Sequence, residues 1–130
     1  MRTGMRIYLS GPITSMPCRA DAEAAFTAAS VRVTVLGHIA VNPMAIMNPL
    51  NCDCPVEEPT HTWECCLRKD IPHLTGCDAI YLLAGWECSR GARLELHIAL
   101  ELGLQVFVSA IGIPMADWMR EELRKEVAST

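Results

Sequence analysis

The sequence has no run of basic residues, and its formal net charge is −4. A chain of that balance is not built to hold a nucleic-acid polymer by its backbone, although a small anionic ligand stays open to it. No stretch approaches the roughly 18 to 20 continuous apolar residues of a membrane span, so no membrane partner is expected. The opening Met1-Arg2-Thr3-Gly4 lacks the layout of a signal peptide, and a cytoplasmic location is the expectation. A GxGxxG pattern is also missing, which removes the dinucleotide fingerprint; no cofactor is expected. There is no internal repeat, linker or low-complexity tract. Aromatic residues are few, whereas about half of the chain is apolar and rich in Ala, Leu, Val and Met. At 130 residues this describes one domain, 1–130, with length enough for a proper core.

Cysteine is abundant by contrast, with seven residues, an odd number. Cys52, Cys54, His61 and Cys65 or Cys66 offer the ligand types that zinc prefers. Against a metal, Cys52-Asp53-Cys54 has one spacer where zinc knuckles favour two to four, and no second CxxC follows. Reduced thiols serving as small apolar side chains are the plainer reading, and no metal is expected.

Hydrophobic periodicity orders the rest. Arg6 to Ser10 reads as a short central strand that Gly11-Pro12 ends with a turn. Asp21 to Leu36 has helical spacing around Ala22, Ala25, Phe26, Ala29 and Val33, with Gly37 as C-cap and a β-branched, hence doubtful, last turn. His38 to Asn42 is a second strand. Prolines at 43, 49, 55 and 59 forbid a long helix or central strand from Pro43 to Thr62, leaving a long loop of the kind that serves as a lid or binding loop. Trp63 to Ile71 is helical in spacing, with Leu74 on the same apolar side and Pro72 as a kink or the start of a second short turn. Ala79 to Leu83 is a continuous apolar run suited to a sheet covered on both faces. A further strand, Gln105 to Ser109, precedes an amphipathic helix from Pro114 to about Val127. Strands alternating with helices in this order predict an α/β fold, a single small doubly wound parallel sheet of Rossmann or flavodoxin type with helices on both faces.

The stretch from Gly85 to Ala99 carries the chemistry. It stands between two strands, with Ser89 as N-cap of a helix. At roughly 100° per residue, Arg90, Arg93, His97 and Glu101 share the wet side. Glu95 falls on the opposite side, near the middle of the arc of Gly91, Leu94, Ile98, Ala99 and Leu102. A carboxylate there is either a structural group held by a cation or reaching water at the helix edge, or a functional one whose pKa burial has raised. Gly91 and Ala99, one turn either side, leave room for a ligand and favour function. Asp70 lies beside an apolar helix face, as a solvated surface group or a site acid. Tyr8 is core, or a hydroxyl needing a partner. Leu96 and Leu100 lie on a flank that one sheet does not easily cover, so the long loop or another subunit is expected to cover them.

These residues resemble the nucleoside 2-deoxyribosyltransferase family. The likeness is carried by Ile7-Tyr8-Leu9-Ser10-Gly11-Pro12-Ile13, by Asp70, by Cys77-Asp78-Ala79-Ile80, and by Ser89-Arg90-Gly91-Ala92-Arg93-Leu94-Glu95 with Ala99. It runs over about residues 5 to 109 and is nearest to short members carrying Gly-Trp-Glu-x-Ser-Arg-Gly-Ala. The resemblance implies cleavage of the N-glycosidic bond of a 2′-deoxynucleoside or its 5′-monophosphate, by hydrolysis or base transfer. Glu95 matches the nucleophile, Tyr8 the tyrosine that hydrogen-bonds near it, and Asp70 the acid that assists base departure. Gly11, Asp78, Trp86, Ser89, Arg90 and Gly91 are the matching candidates for substrate binding. Six residues before the nucleophile the transferases carry Asp, whereas the related deoxynucleoside 5′-monophosphate N-glycosidases carry Ser, as here at Ser89. A serine and free N–H groups at a helix start suit a phosphate that an Asp would repel. After the first strand the monophosphate hydrolases have Arg and glycines, whereas this chain has Thr14-Ser15-Met16-Pro17. The resemblance also implies a homodimer or larger homo-oligomer. The rival reading is a nucleotide-binding or sensing domain without turnover.

Overall fold

The computed structural model describes residues 4–12, 19–46, 70–108, 113–114, 121–122 and 125. Four strands lie parallel: β1 (Arg6–Ser10), β2 (Ile39–Val41), β3 (Ala79–Leu82) and β4 (Gln105–Val108). A two-residue strand, β5 (Ile113–Pro114), joins antiparallel to give the order β2-β1-β3-β4-β5. The expected parallel α/β sheet is therefore present, and β1 and β3, between β2 and β4, are its most buried strands. All four residues of β3 are buried, as are four of the five in β1. Such runs need cover on both sides, and helices supply it.

On one face α1 (Arg19–Val35) sets Phe26, Ala29 and Val33 against Ile7 and Leu9 of β1 and Ala79 and Tyr81 of β3. On the other face the alternate strand residues Tyr8, Ile80, Leu82 and Val106 meet Leu74, Leu96, Ala99 and Leu100. Leu74 comes from α3, whose described part is 70–75, and the other three from α4 (Arg90–Glu101). Each large side chain taken wholly out of water here contributes about 2 kcal/mol before its entropy cost.

Local chemistry explains several boundaries. The β-branched end of α1 stays helical through Val35, where Thr34 Oγ1 donates to the Ser30 carbonyl at 2.8 Å. The helix then closes on Gly37 at φ 89°, with the Gly37 N–H on the Thr34 carbonyl and the His38 N–H on that of Val33. That pair of bonds is a glycine C-cap of Schellman type. At the start of the expected loop there is one helical turn, α2 (Pro43–Ile46). Proline is tolerated at a first helical position, and Asn42 Oδ1 caps the turn by accepting from the Met44 N–H at 2.9 Å. The last helix does not begin at Pro114 as expected, because Ile113 and Pro114 pair with Val108 and Phe107 at the sheet edge. An edge strand is where a residue without an N–H can sit. Residues 121–122 and 125 are helical, as expected. The rest of the proline-rich segment and Trp63 to Lys69 lie outside the described residues, as do Cys52, Cys54, His61, Cys65 and Cys66. Among the described residues no group of His, Cys, Asp and Glu could hold a metal ion, and no helix is long and apolar enough to cross a membrane.

Gly11 follows β1 directly, where the chain runs close beside β3. A Cβ there would stand 2.7 Å from the Leu83 Cβ, which belongs to a buried residue fixed by the Leu83 N–H bond to the Ser10 carbonyl. Gly11→Ala should therefore cost about 1 to 3 kcal/mol of stability by overpacking, read as a lower urea midpoint with an unchanged slope. An unaltered midpoint would mean that the two strand exits separate freely.

Candidate active site

Ser89 starts α4 as expected: its backbone is extended and its Oγ accepts the Ala92 N–H at 3.2 Å. The helix ends at Gly103, φ 73°, with the Gly103 N–H on the Leu100 carbonyl and the Leu104 N–H on that of Ala99. Between these caps the buried stripe is Ala92, Glu95, Leu96, Ala99 and Leu100. Glu95 is on the dry face, but at the edge of the stripe rather than at its middle. Leu96 and Leu100 belong to the core of this one chain and need no second subunit; the flank left open is that of Leu102, which is 52% exposed. A helix packed on a sheet and on α3 at once is turned by both, and helical spacing alone does not contain that second contact.

Glu95 is 7% exposed and meets β1. Tyr8 donates its hydroxyl to Glu95 Oε2 at 2.5 Å, and Ser10 donates to Oε1 at 2.7 Å. Residues two apart on a strand project from the same face, so the two hydroxyls grip one carboxylate from either side. Lengths of this order are those of charge-assisted O–H···O⁻ bonds. Burial pushes the Glu95 carboxyl up from its ordinary value, and the bonds from Tyr8 and Ser10 pull it partly back. Burial raises the Tyr8 phenol too, and the charges of Glu95 and Asp70 add to this, so Tyr8 stays a protonated donor.

Asp70, at the described start of α3, is the second buried acid of this region. Its carboxyl is pushed up to about 7, first by burial and then by the Glu95 charge. Its Oδ1 is buried with no hydrogen-bond partner. A buried carboxyl with one unpartnered oxygen and a raised proton affinity thus stands within electrostatic reach of a second carboxylate. Together they have the make-up of a nucleophile with a general acid.

The other candidates divide by position. Trp86 lies in a 3-10 turn, Trp86–Cys88, beyond the carboxyl end of β3, half-buried against the same core cluster. Arg90, exposed, and Gly91, half-buried, form the first turn of α4, at the same end of the sheet as Ser10. Gly11 is there as well, with the packing reason already given. Asp78 is not. It lies at the amino end of β3, where its Oδ2 accepts the Arg6 N–H at 2.9 Å and its own N–H bonds the Arg6 carbonyl at 2.8 Å. Those bonds set the register of two strands at the far end from Glu95. Ser10 is the site residue that sequence reasoning passed over. The signal was available: a polar side chain two places after Tyr8 in a buried strand shares its face.

A parallel α/β sheet with a paired-hydroxyl carboxylate near the carboxyl ends of its strands is an enzyme-like arrangement, since that end is where open α/β sheets take ligands. Residues 5–108 match the family described as a domain of unknown function, DUF4406, and the chain belongs to it. Among solved structures the chain is similar to the 2-deoxyribosyltransferase of the psychrotolerant bacterium Bacillus psychrosaccharolyticus. That match has 21% identity and a TM-score of 0.60, and covers 90% of this chain and 80% of that one. It is also similar to a conserved protein from Enterococcus faecalis V583, with 13% identity and a TM-score of 0.58 over 95% of this chain and 88% of that one. At such identities the likeness is one of fold. No curated protein matches the chain.

Proposed function

We propose that this chain cleaves the N-glycosidic bond of a 2′-deoxynucleoside 5′-monophosphate or deoxynucleoside through a covalent deoxyribosyl-Glu95. The observation that carries the reading is the Glu95 carboxylate, buried and gripped by two hydroxyls, with the Asp70 carboxyl, its Oδ1 unpartnered, in electrostatic reach. A Glu95 oxygen forms a bond to C1′ as the C1′–N bond breaks. The bonding pair leaves with the base, which takes the Asp70 proton. In the second step water, or the ring N–H of another base, attacks C1′ and releases Glu95; with either acceptor the surplus proton returns to Asp70. An oxocarbenium-like transition state asks for this pairing of carboxylate and acid, as in retaining glycosidases. The transferase fold of the Bacillus protein supports the reading, and so does the sequence resemblance.

A phosphate end for the substrate fits the start of α4. Ser89 Oγ accepts from Ala92, which leaves its own proton free to be donated, and the first-turn N–H groups and the Arg90 charge add to the attraction for an anion. Assembly into at least a homodimer belongs to the same reading and rests on the resemblance.

The test is a panel of deoxynucleosides and their 5′-monophosphates, incubated with and without a second base and analysed for free base and for exchanged nucleoside. Free base from at least one member is the expected result. By calorimetry the monophosphate should bind more tightly than its nucleoside by about 1 to 3 kcal/mol, the range for charge-assisted hydrogen bonds. Equal binding would return the substrate to the nucleoside class. Tight binding with no base released from any member would replace the enzyme by a nucleotide-binding domain.

A further inference from the structure

Ser10 is the last residue of β1 and is 1% exposed. Its backbone is pinned between neighbours, since it pairs with Leu82 and its carbonyl accepts the Leu83 N–H at 2.8 Å. Little freedom is left to the side chain, and its hydroxyl is spent on Glu95 Oε1. A carboxylate held at Oε2 alone could still swing about the Tyr8 bond. Held at both oxygens, it has one plane.

We propose that Ser10 is a positioning residue for Glu95, fixing the plane of the carboxylate so that its free lone pairs face the incoming sugar carbon. The role rests on the reading of Glu95 as nucleophile. In this role Ser10 makes no bond to the sugar or the base; it acts through the carboxylate it holds, by excluding rotamers that face away from C1′ and by favouring the ionised form. A hydroxyl suits the task because it is small enough for a closed site and donates a single proton in one direction. Polar groups this deeply buried are kept only with a partner, and Glu95 is the partner found.

The test uses the full chain with Ser10→Ala and Ser10→Thr. The Glu95 carboxyl is titrated in the substrate-free protein by carbon-13 NMR, its resonance identified by its loss in Glu95→Gln. Ser10→Ala should move the midpoint upward by about one to two pH units, as expected when an anion loses one charged hydrogen bond. For whichever deoxynucleotide or deoxynucleoside releases base, kcat should fall about tenfold or more, the acid limb of its pH profile should move up with the midpoint, and KM should change little. Ser10→Thr, which keeps the hydroxyl, should restore both readouts. If its extra methyl unfolds the chain, Ser10→Cys should give a midpoint between those of the parent and Ser10→Ala. An unmoved Glu95 midpoint in a folded Ser10→Ala protein overturns the proposal, as does a kcat loss without a shifted acid limb. A shifted midpoint in a chain that releases no base from any substrate would leave Ser10 as the holder of Glu95 and remove the deoxyribosyl reading instead.

Discussion

Glu95→Gln is expected to lower base release by at least about a thousandfold while the melting temperature holds or rises, because a covalent nucleophile has no substitute in a site built around it. Glutamine keeps the shape of the side chain; its carbonyl oxygen accepts from one of the Tyr8 and Ser10 hydroxyls, and its NH2 donates to the other. Burial raises the Glu95 carboxyl, so ionising it in the folded chain costs stability that the amide does not. Kinetics and thermal melting on one preparation separate the two effects. Measurable turnover well above the uncatalysed rate would move the nucleophile elsewhere, and a marked fall in melting temperature would make Glu95 structural. Glu87, exposed in the 3-10 turn, is the next carboxylate to replace.

The second large effect is expected at Asp70. As general acid it must be protonated, which holds below its value of about 7 and fails above it. The rate constant kcat/KM should therefore fall about tenfold per pH unit above that point, for a substrate whose base needs a proton to leave. Asp70→Asn should reduce the rate by about a hundred- to ten-thousandfold and flatten this alkaline limb. Stability follows the same proton. Between the ordinary value of 3.8 and about 7 the folded chain holds a proton that the unfolded chain has released. Stability should thus decline as pH rises through that window and level off above it, and Asp70→Asn should be the more stable protein at pH 8. A parent rate that keeps its plateau to pH 9, or an Asn variant with the parent's limb, would remove Asp70 from proton transfer.

The sheet was legible because its two periodicities are unambiguous. A continuous apolar run at Ala79 to Leu82 and alternating helical spacing around Phe26 leave few folds that bury both. Glu95 was legible for the same reason, as a charge in an apolar arc. Its partners were less so. Tyr8 came through resemblance, and Ser10 could have been found only by asking which face of β1 meets α4, a tertiary question. The rotation of α4 about its axis was not legible, because Leu74 of α3 shares the core with Leu96 and Leu100, while Leu102, past the helix end, is exposed. Asp78 stood in a motif at the opening of β3, and there its carboxylate serves the backbone of Arg6, at the end of the sheet away from Glu95. Pro114 has no helical obstacle in its own chemistry; the free edge of β4 claims it.

The electrostatic link between Asp70 and Glu95 has a consequence over a catalytic cycle. Part of what keeps the proton on Asp70 is the negative charge of Glu95. In the proposed mechanism, esterification of Glu95 to the sugar removes that charge and makes Asp70 the stronger acid, hence readier to stand ionised as the acceptor arrives. In that scheme one side chain would give a proton in the first half-reaction and accept one in the second, its affinity reset by the state of its neighbour. Glu95→Gln imitates the neutral ester, so the Asp70 midpoint in that variant should lie below the parent's, and an unchanged midpoint would mean that burial alone holds the proton and no such reversal takes place.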